Sequence, residues 1–192
     1  MIPKFNASGV LPPYLDSDPT RDGSMSPYKV DLYDFVSHFA TSVERKELLR
    51  GFLNYRIKMK SLGFRSGFQW VNGSFVENIE VTKGRPPADV DLVTFAKLPD
   101  TIQSEEDWDL LVGNNQDIFD NDLSKTEFYC DAFYVSMDTH PMLLIDQTRY
   151  WFGLFSHQRT TSLWKGIIEI DIDEDEYTVL DLVIDGGEDY AS

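Results

Sequence analysis

The stretch Trp70–Phe95, WVNGSFVENIEVTKGRPPADVDLVTF, decides how this chain folds and what it could do. An apolar segment ends in Gly73 and Ser74, and two aspartates, Asp89 and Asp91, follow at the start of a run of β-formers. Side chains two apart on a strand point to the same face. We therefore expect both carboxylates to project together from one edge of a sheet.

Helical and β patterns alternate on either side of this stretch. Thr41, with Glu44 three residues on, resembles a capping box, and Gly63 is expected to end the helix that follows. The apolar stripe of this helix comprises Leu48, Phe52, Tyr55, Met59 and Leu62. The predicted elements are helices at 32–39, 41–62, 104–119 and from Pro141, strands at 69–71, 90–95 and 126–135, and a last strand after Lys165 that is at an edge or exposed on one side.

The composition is that of one folded domain. The 192 residues are 42% hydrophobic and 14% aromatic, which is typical of a chain with a substantial core. We predict a single domain of α/β or α+β class, with a short mixed sheet and helices packed on one face. Its expected parts are an extended N-terminal arm at 1–30, the domain at 31–180 and an acidic C-terminal tail at 181–192.

Charge and cysteine content limit the partners. The net charge of −16 disfavours general nucleic-acid binding, whereas it suits divalent cations or a basic protein partner. Cys130 is the only cysteine, which indicates a reducing cytoplasm. No apolar run is long enough to span a membrane, and the N-terminus lacks a secretory pattern, so we expect a cytoplasmic protein without a membrane partner.

Three aspartates form the candidate catalytic set. Asp89 and Asp91 would repel each other, and a bound Mg²⁺ or Mn²⁺ would relieve that repulsion; the alternative is two solvated turn residues. Asp131 interrupts the aromatic strand FYCDAFYV, where a carboxylate needs a metal, a partner or an exposed strand end. Gly73 and Ser74 could bring backbone and hydroxyl groups to an anionic phosphate tail, or form an ordinary turn.

Together these motifs resemble the nucleotidyltransferase superfamily of the DNA polymerase β type. More closely, GVLPP, WVNGSFV, PADVDLVTF and YWFGLFSHQRTTSLWKGI look like a poorly characterised prokaryotic and phage-associated branch of small nucleotidyltransferase-like proteins. The resemblance implies that Gly73 and Ser74 hold nucleotide phosphates. It also implies that Asp89, Asp91 and Asp131 hold Mg²⁺ or Mn²⁺ while NMP passes from an NTP to an acceptor hydroxyl. The acceptor could be a protein, in a toxin-antitoxin or phage-defence setting.

The fourteen-residue spacer FVENIEVTKGRPPA is longer than in small members of that superfamily. Lys83 and Arg85 within it are candidate nucleotide-phosphate contacts, or residues of a solvated loop tip. Arg149, Arg159 and Lys165 could also meet phosphates or an acceptor, or form surface and structural ion pairs. Two other functions stay open: a catalytically weak or inactive binding protein acting through its acidic surface, and a transferase directed to nucleic acid, which the charge disfavours.

Overall fold

The computed structural model describes residues 1–16, 18–21 and 23–184. Residues 185–192 of the predicted acidic tail lie outside this part. The helices are α1 Leu32–Phe39, α2 Val43–Ser61, α3 Ile79–Lys83, α4 Glu105–Asn114, α5 Gln116–Phe119, α6 Asn121–Phe128 and α7 Pro141–Phe155. The strands are β1 Tyr28–Lys29, β2 Gly67–Asn72, β3 Val90–Ala96, β4 Cys130–Ser136 and β5 Ile168–Asp171, and 3₁₀ turns occupy Gly73–Val76, Glu176–Thr178 and Leu180–Leu182.

A mixed five-stranded sheet organises the fold, in the order β1-β5-β2-β3-β4. The strand β2 is antiparallel to both β3 and β5, whereas β3 runs parallel to β4 and β1 runs parallel to β5. Helices and strands are interspersed along the chain. The predicted α+β class with a mixed sheet is confirmed.

Helix α2 covers one face of the sheet. Its N-cap is Ser42, one residue after the expected Thr41. The Ser42 hydroxyl accepts a hydrogen bond from the backbone amide of Arg45 at 3.2 Å. Leu48, Phe52, Tyr55 and Met59 of the predicted stripe are buried in the larger core with Val90 and Leu92 of β3. The helical period therefore places this stripe against the sheet as expected.

Helix α7 lies on the opposite face, so the helices occupy both faces and not one as predicted. Trp151 and Phe155 of α7 pack with Trp70, Val93 and Phe95 in a second apolar cluster. This follows from the alternation of β3, in which Val93 and Phe95 point away from the α2 side. The face covered by α7 is the face on which Asp91 must also lie.

Two boundaries differ from the sequence-based expectation. Residues 126–128 end helix α6 and do not begin the strand, because Asp120 caps this helix by accepting hydrogen bonds from the amides of Asp122 and Leu123. The expected helix 104–119 is divided between α4 and α5 at Asn115. Strand β5 alternates buried and more exposed residues, as expected of a strand exposed on one side, and it is not at an edge because β1 pairs with its outer side.

The N-terminal segment lies over the domain and enters its core. Leu11 is fully buried, and the hydroxyl of Tyr28 donates to the carbonyl of Pro12 at 2.7 Å. Gly166 donates its amide to the carbonyl of Leu11 at 2.8 Å, which ties this segment to the residues before β5. Within the residues that the structure describes, no helix has the length and apolar character needed to cross a membrane.

Candidate active site

The antiparallel register of β2 and β3 brings the Gly-Ser turn onto the second aspartate. Asn72 ends β2 opposite Asp91, and Gly73 then turns away with φ +72°. A Cβ built at Gly73 would overlap Oδ2 of Asp91 and lie 3.0 Å from the Asp91 Cβ. Only glycine allows this close approach and this backbone conformation together.

The parallel register of β3 and β4 brings the third aspartate alongside. Asp91 and Asp131 are direct partners in this ladder. Asp91 shares its face with Val93, and Asp131 shares its face with Phe133, so both carboxylates lie on the α7 side of the sheet. Asp89 precedes β3 by one residue and belongs to the same group. The structure thus unites the three predicted carboxylates.

Burial and repulsion together disfavour the charged form of Asp91. Burial, followed by the charges of Asp89 and Asp131, raises the Asp91 pKa from 3.8 to about 6, while Lys165 and Lys125 act in the opposite direction. A cation bound at Asp91 would therefore stabilise its charged form.

Lys125 supplies part of that compensation from the last turn of α6. Its ammonium forms an ion pair with Asp89. The charges of Asp131 and Asp91 also contribute to raising the Lys125 pKa. Asn121, at the start of the same helix, donates to Oδ1 of Asp131 at 3.4 Å. Helix α6 therefore forms one wall of the site.

A buried lysine supports the Gly-Ser turn from the other side. Lys165 is 3% exposed and donates to the carbonyl of Gly73 at 3.0 Å and to Oε1 of Glu77 at 2.5 Å. Gln158 donates to the second oxygen of Glu77 at 2.8 Å. Burial lowers the Lys165 pKa, and the charges of Glu77 and Asp91 oppose this shift. The segment 157–165 is thereby joined to the turn.

Of the other residues predicted to contact phosphate, Ser74 lies in the turn itself, whereas Lys83 and Arg85 lie beyond it. Ser74 is half-buried in the 3₁₀ turn, and its carbonyl accepts the amide of Glu77 at 3.2 Å. Lys83 ends α3 and is exposed, and the exposed Arg85 donates to the carbonyl of Pro86 at 3.0 Å. In the part of the chain that the structure describes, neither basic side chain forms an ion pair with the three aspartates.

The carboxylates suit a hard divalent cation in their chemistry, because Mg²⁺ and Mn²⁺ prefer carboxylate oxygens. In the arrangement shown, no three His, Cys, Asp or Glu side chains among residues 1–16, 18–21 and 23–184 are placed to hold a metal ion. The ion pair with Lys125 keeps Asp89 engaged elsewhere. Asp89, Asp91 and Asp131 therefore fit a cation by their chemistry, while in this arrangement Asp89 is paired with Lys125.

Comparison with known proteins assigns the chain to a family. The model of DUF6932, a family of unknown function, matches residues 3–171. The chain belongs to DUF6932. No curated protein and no solved structure gives a significant match. The DUF6932 segment contains the whole site, from Gly73 to Lys165.

Sequence reasoning misses two residues of this site. The aromatic pattern of residues 126–135 predicts a strand and hides the helix that carries Lys125, although Asp120 is a cap signal for that helix. Glu77 carries no sequence signal, since it lies in the irregular segment after the turn. Its partner Lys165 is one of several basic residues that the sequence does not distinguish.

Proposed function

We propose that this protein is a metal-dependent nucleotidyltransferase that moves NMP from an NTP to an acceptor hydroxyl. One observation carries the proposal: the backbone of Gly73 lies against the carboxylate of Asp91, which is in register with Asp131 on the next strand. Phosphate could bind at the turn, which has no side chain at Gly73, and its cation could bind at the neighbouring carboxylates.

The roles of the residues follow from their places. Gly73 and Ser74 would bind the phosphate tail, and Lys165 would fix the turn through the carbonyl of Gly73. Asp89, Asp91 and Asp131 would hold Mg²⁺ or Mn²⁺, which when bound lowers the pKa of the acceptor hydroxyl and neutralises phosphate charge.

The reaction exchanges one bond to the α-phosphorus. The acceptor oxygen forms a bond to that phosphorus, and the bond to the bridging oxygen of the β-phosphate breaks. Pyrophosphate leaves with the bonding electron pair. Asp131, on the neighbouring strand, is the base proposed to take the proton of the acceptor hydroxyl.

We propose a protein acceptor in the cytoplasm. The net charge of −16 would repel a nucleic-acid backbone, whereas a hydroxyl on a basic protein would be attracted. Modification of a protein also fits the toxin-antitoxin or phage-defence setting that the sequence resemblance implies. The single cysteine, Cys130, is buried and free, which suits a reducing compartment.

A second candidate function is a binding protein with weak or no catalysis. It is favoured by the ion pair of Lys125 with Asp89 and by the absence, among the described residues, of three acidic or other ligating side chains that converge on one point. A lysine that holds its aspartate permanently would leave a carboxylate-bearing scaffold that acts through its acidic surface.

Transfer of label separates the two candidates. The protein is incubated with Mg²⁺ or Mn²⁺, a cell extract and each NTP, labelled at either the α- or the γ-phosphate. The proposal predicts that, relative to the extract alone, the added protein increases acceptor labelling from the α-label only, because the γ-label leaves in pyrophosphate.

Matched variants complete this test. Asp89→Ala/Asp91→Ala should abolish labelling. Asp100→Ala/Asp109→Ala removes two charges from exposed positions and should leave labelling unchanged. Labelling from the γ-phosphate that requires the added protein would indicate a kinase, and no labelling beyond that of the extract alone would support the binding protein.

A further inference from the structure

Lys125 brings a positive charge next to the three aspartates of the site. Its ammonium pairs with Asp89, whose side chain is 14% exposed, whereas the side chain of Lys125 is 49% exposed. The charges of Asp131 and Asp91 also act on this ammonium. The positive charge therefore approaches the three carboxylates from the solvent side.

Hydrogen bonds fix the backbone of α6 at Lys125. The hydroxyl of Ser124 is buried and donates to the carbonyl of Cys130 at 2.8 Å, which joins α6 to the start of β4. The amide of Tyr129 donates to the carbonyl of Lys125 at 3.1 Å. A displaced ammonium would thus swing on its flexible side chain while α6 remained in place.

We propose that Lys125 is a built-in competitor of the divalent cation, which pairs with Asp89 in the metal-free protein and must be displaced before the metal binds. This inference rests on the proposed function in one respect, that Asp89, Asp91 and Asp131 are the metal ligands. It adds that the affinity of the site for metal is set by a residue that is not a ligand.

Two physical effects lead to this result. The hydrogen bond from the ammonium occupies a lone pair of the Asp89 carboxylate and makes that oxygen a weaker metal ligand. A positive charge that stays beside the site also repels a second positive charge. Removing the ammonium relieves both effects, so the metal should bind more tightly to a variant without Lys125.

The test is a titration of the full chain with Mn²⁺ in the absence of nucleotide. Binding is measured by calorimetry and by the decrease of the paramagnetic resonance signal of free Mn²⁺. Lys125→Met removes the charge and keeps a long side chain, and Lys125→Arg keeps the charge. The matched control is Lys97→Met, since Lys97 is exposed and follows the far end of β3. Circular dichroism and thermal unfolding verify that each variant is folded.

We expect Lys125→Met to bind Mn²⁺ at least about fivefold more tightly than the wild type, with Lys125→Arg and Lys97→Met close to the wild type. Equal or weaker binding by Lys125→Met, with a wild type that binds, overturns the inference and leaves the metal site intact. Binding by Lys125→Met alone supports the inference and overturns the metal-dependent function. No binding by any folded form overturns both.

Discussion

Gly73 and Asp91 are in direct contact, the backbone of the turn against the carboxylate of the facing strand. Their contact results from the pairing of Asn72 with Asp91, which carries the chain into a left-handed conformation at Gly73. The Gly-Ser turn and the Asp-x-Asp strand lie close in the sequence because they belong to two antiparallel neighbouring strands, which bring them into contact.

Gly73→Ala should damage the site and the fold together. The new Cβ would overlap Oδ2 of Asp91, and φ +72° strains any residue with a side chain. We expect a loss of about 2–4 kcal/mol in the free energy of unfolding, measured with urea.

The matched control is Gly84→Ala. Gly84 also has positive φ, at 65°, but a Cβ there meets nothing within 4 Å. Its cost should be the backbone strain alone, about 1 kcal/mol. Equal losses at the two positions would show that the contact with Asp91 contributes nothing.

Asp91→Asn should stabilise the protein in a pH-dependent way. The Asp91 pKa is raised to about 6 in the folded protein, so the folded state binds more protons between the ordinary value of 3.8 and 6. Stability of the wild type then decreases as the pH rises through this window. The variant lacks this loss and should be more stable at pH 7.5 by on the order of 2 kcal/mol, and by much less at pH 4.

The measurement is urea unfolding of wild type and Asp91→Asn at both pH values in the presence of a chelator. The difference between the two proteins cancels the contributions of the carboxylates that do not interact with Asp91. Saturating Mg²⁺ should reduce the gap at pH 7.5 if the cation binds Asp91. A gap that is constant with pH would contradict the raised pKa.

Lys165→Met should destabilise the protein by about 3–5 kcal/mol, because Glu77 would remain buried without its ammonium partner. Adding Glu77→Gln should recover part of this stability, since the amide needs no counter-charge. Affinity for the nucleotide should not recover in the double variant, because the carbonyl of Gly73 still lacks its donor. Thermal unfolding and nucleotide titration of the wild type and the two variants measure the two effects separately.

Arg56 should be a stability residue without influence on the site. Its fully buried guanidinium donates to Glu176 at 3.0 Å, to Gln69 at 2.6 Å and to the carbonyl of Asp171 at 2.8 Å, which links α2 with β2 and the end of β5. Arg56→Met should cost about 3–5 kcal/mol of unfolding free energy.

The matched control is Arg65→Met. Arg65 forms a 3.8 Å pair with Asp173, and both side chains are about 60% exposed, so its removal should change the unfolding free energy by less than about 0.5 kcal/mol. A similar effect of both substitutions would contradict the buried network.

Local patterns predicted the elements whose residues are dictated by local physics. Helix α1, the body of α2, strand β3 and the start of α7 at Pro141 have the expected positions, because apolar period, capping and proline act over a few residues. Strand alternation also predicts that Asp89 and Asp91 share one face, and Asp131 is notable in the sequence as a lone carboxylate in an aromatic strand.

Long-range partners could not be predicted in the same way. Strand β5 lies inside the sheet only because the two-residue β1 pairs with it from well over a hundred positions away. The pairing of Glu77 with Lys165 joins two irregular segments, and neither has a periodic pattern. Lys125 was missed because the aromatic residues after it favour a strand, whereas the Asp120 cap starts a helix.

Calorimetric titration of the wild type with each of the four NTPs, with Mg²⁺ and with a chelator, measures whether the Gly73 turn and the carboxylates form a metal-dependent nucleotide site. We expect at least one NTP to bind with Mg²⁺, and binding to be lost with the chelator and in Asp89→Asn/Asp91→Asn. A folded wild type that binds no NTP under either condition would contradict this expectation.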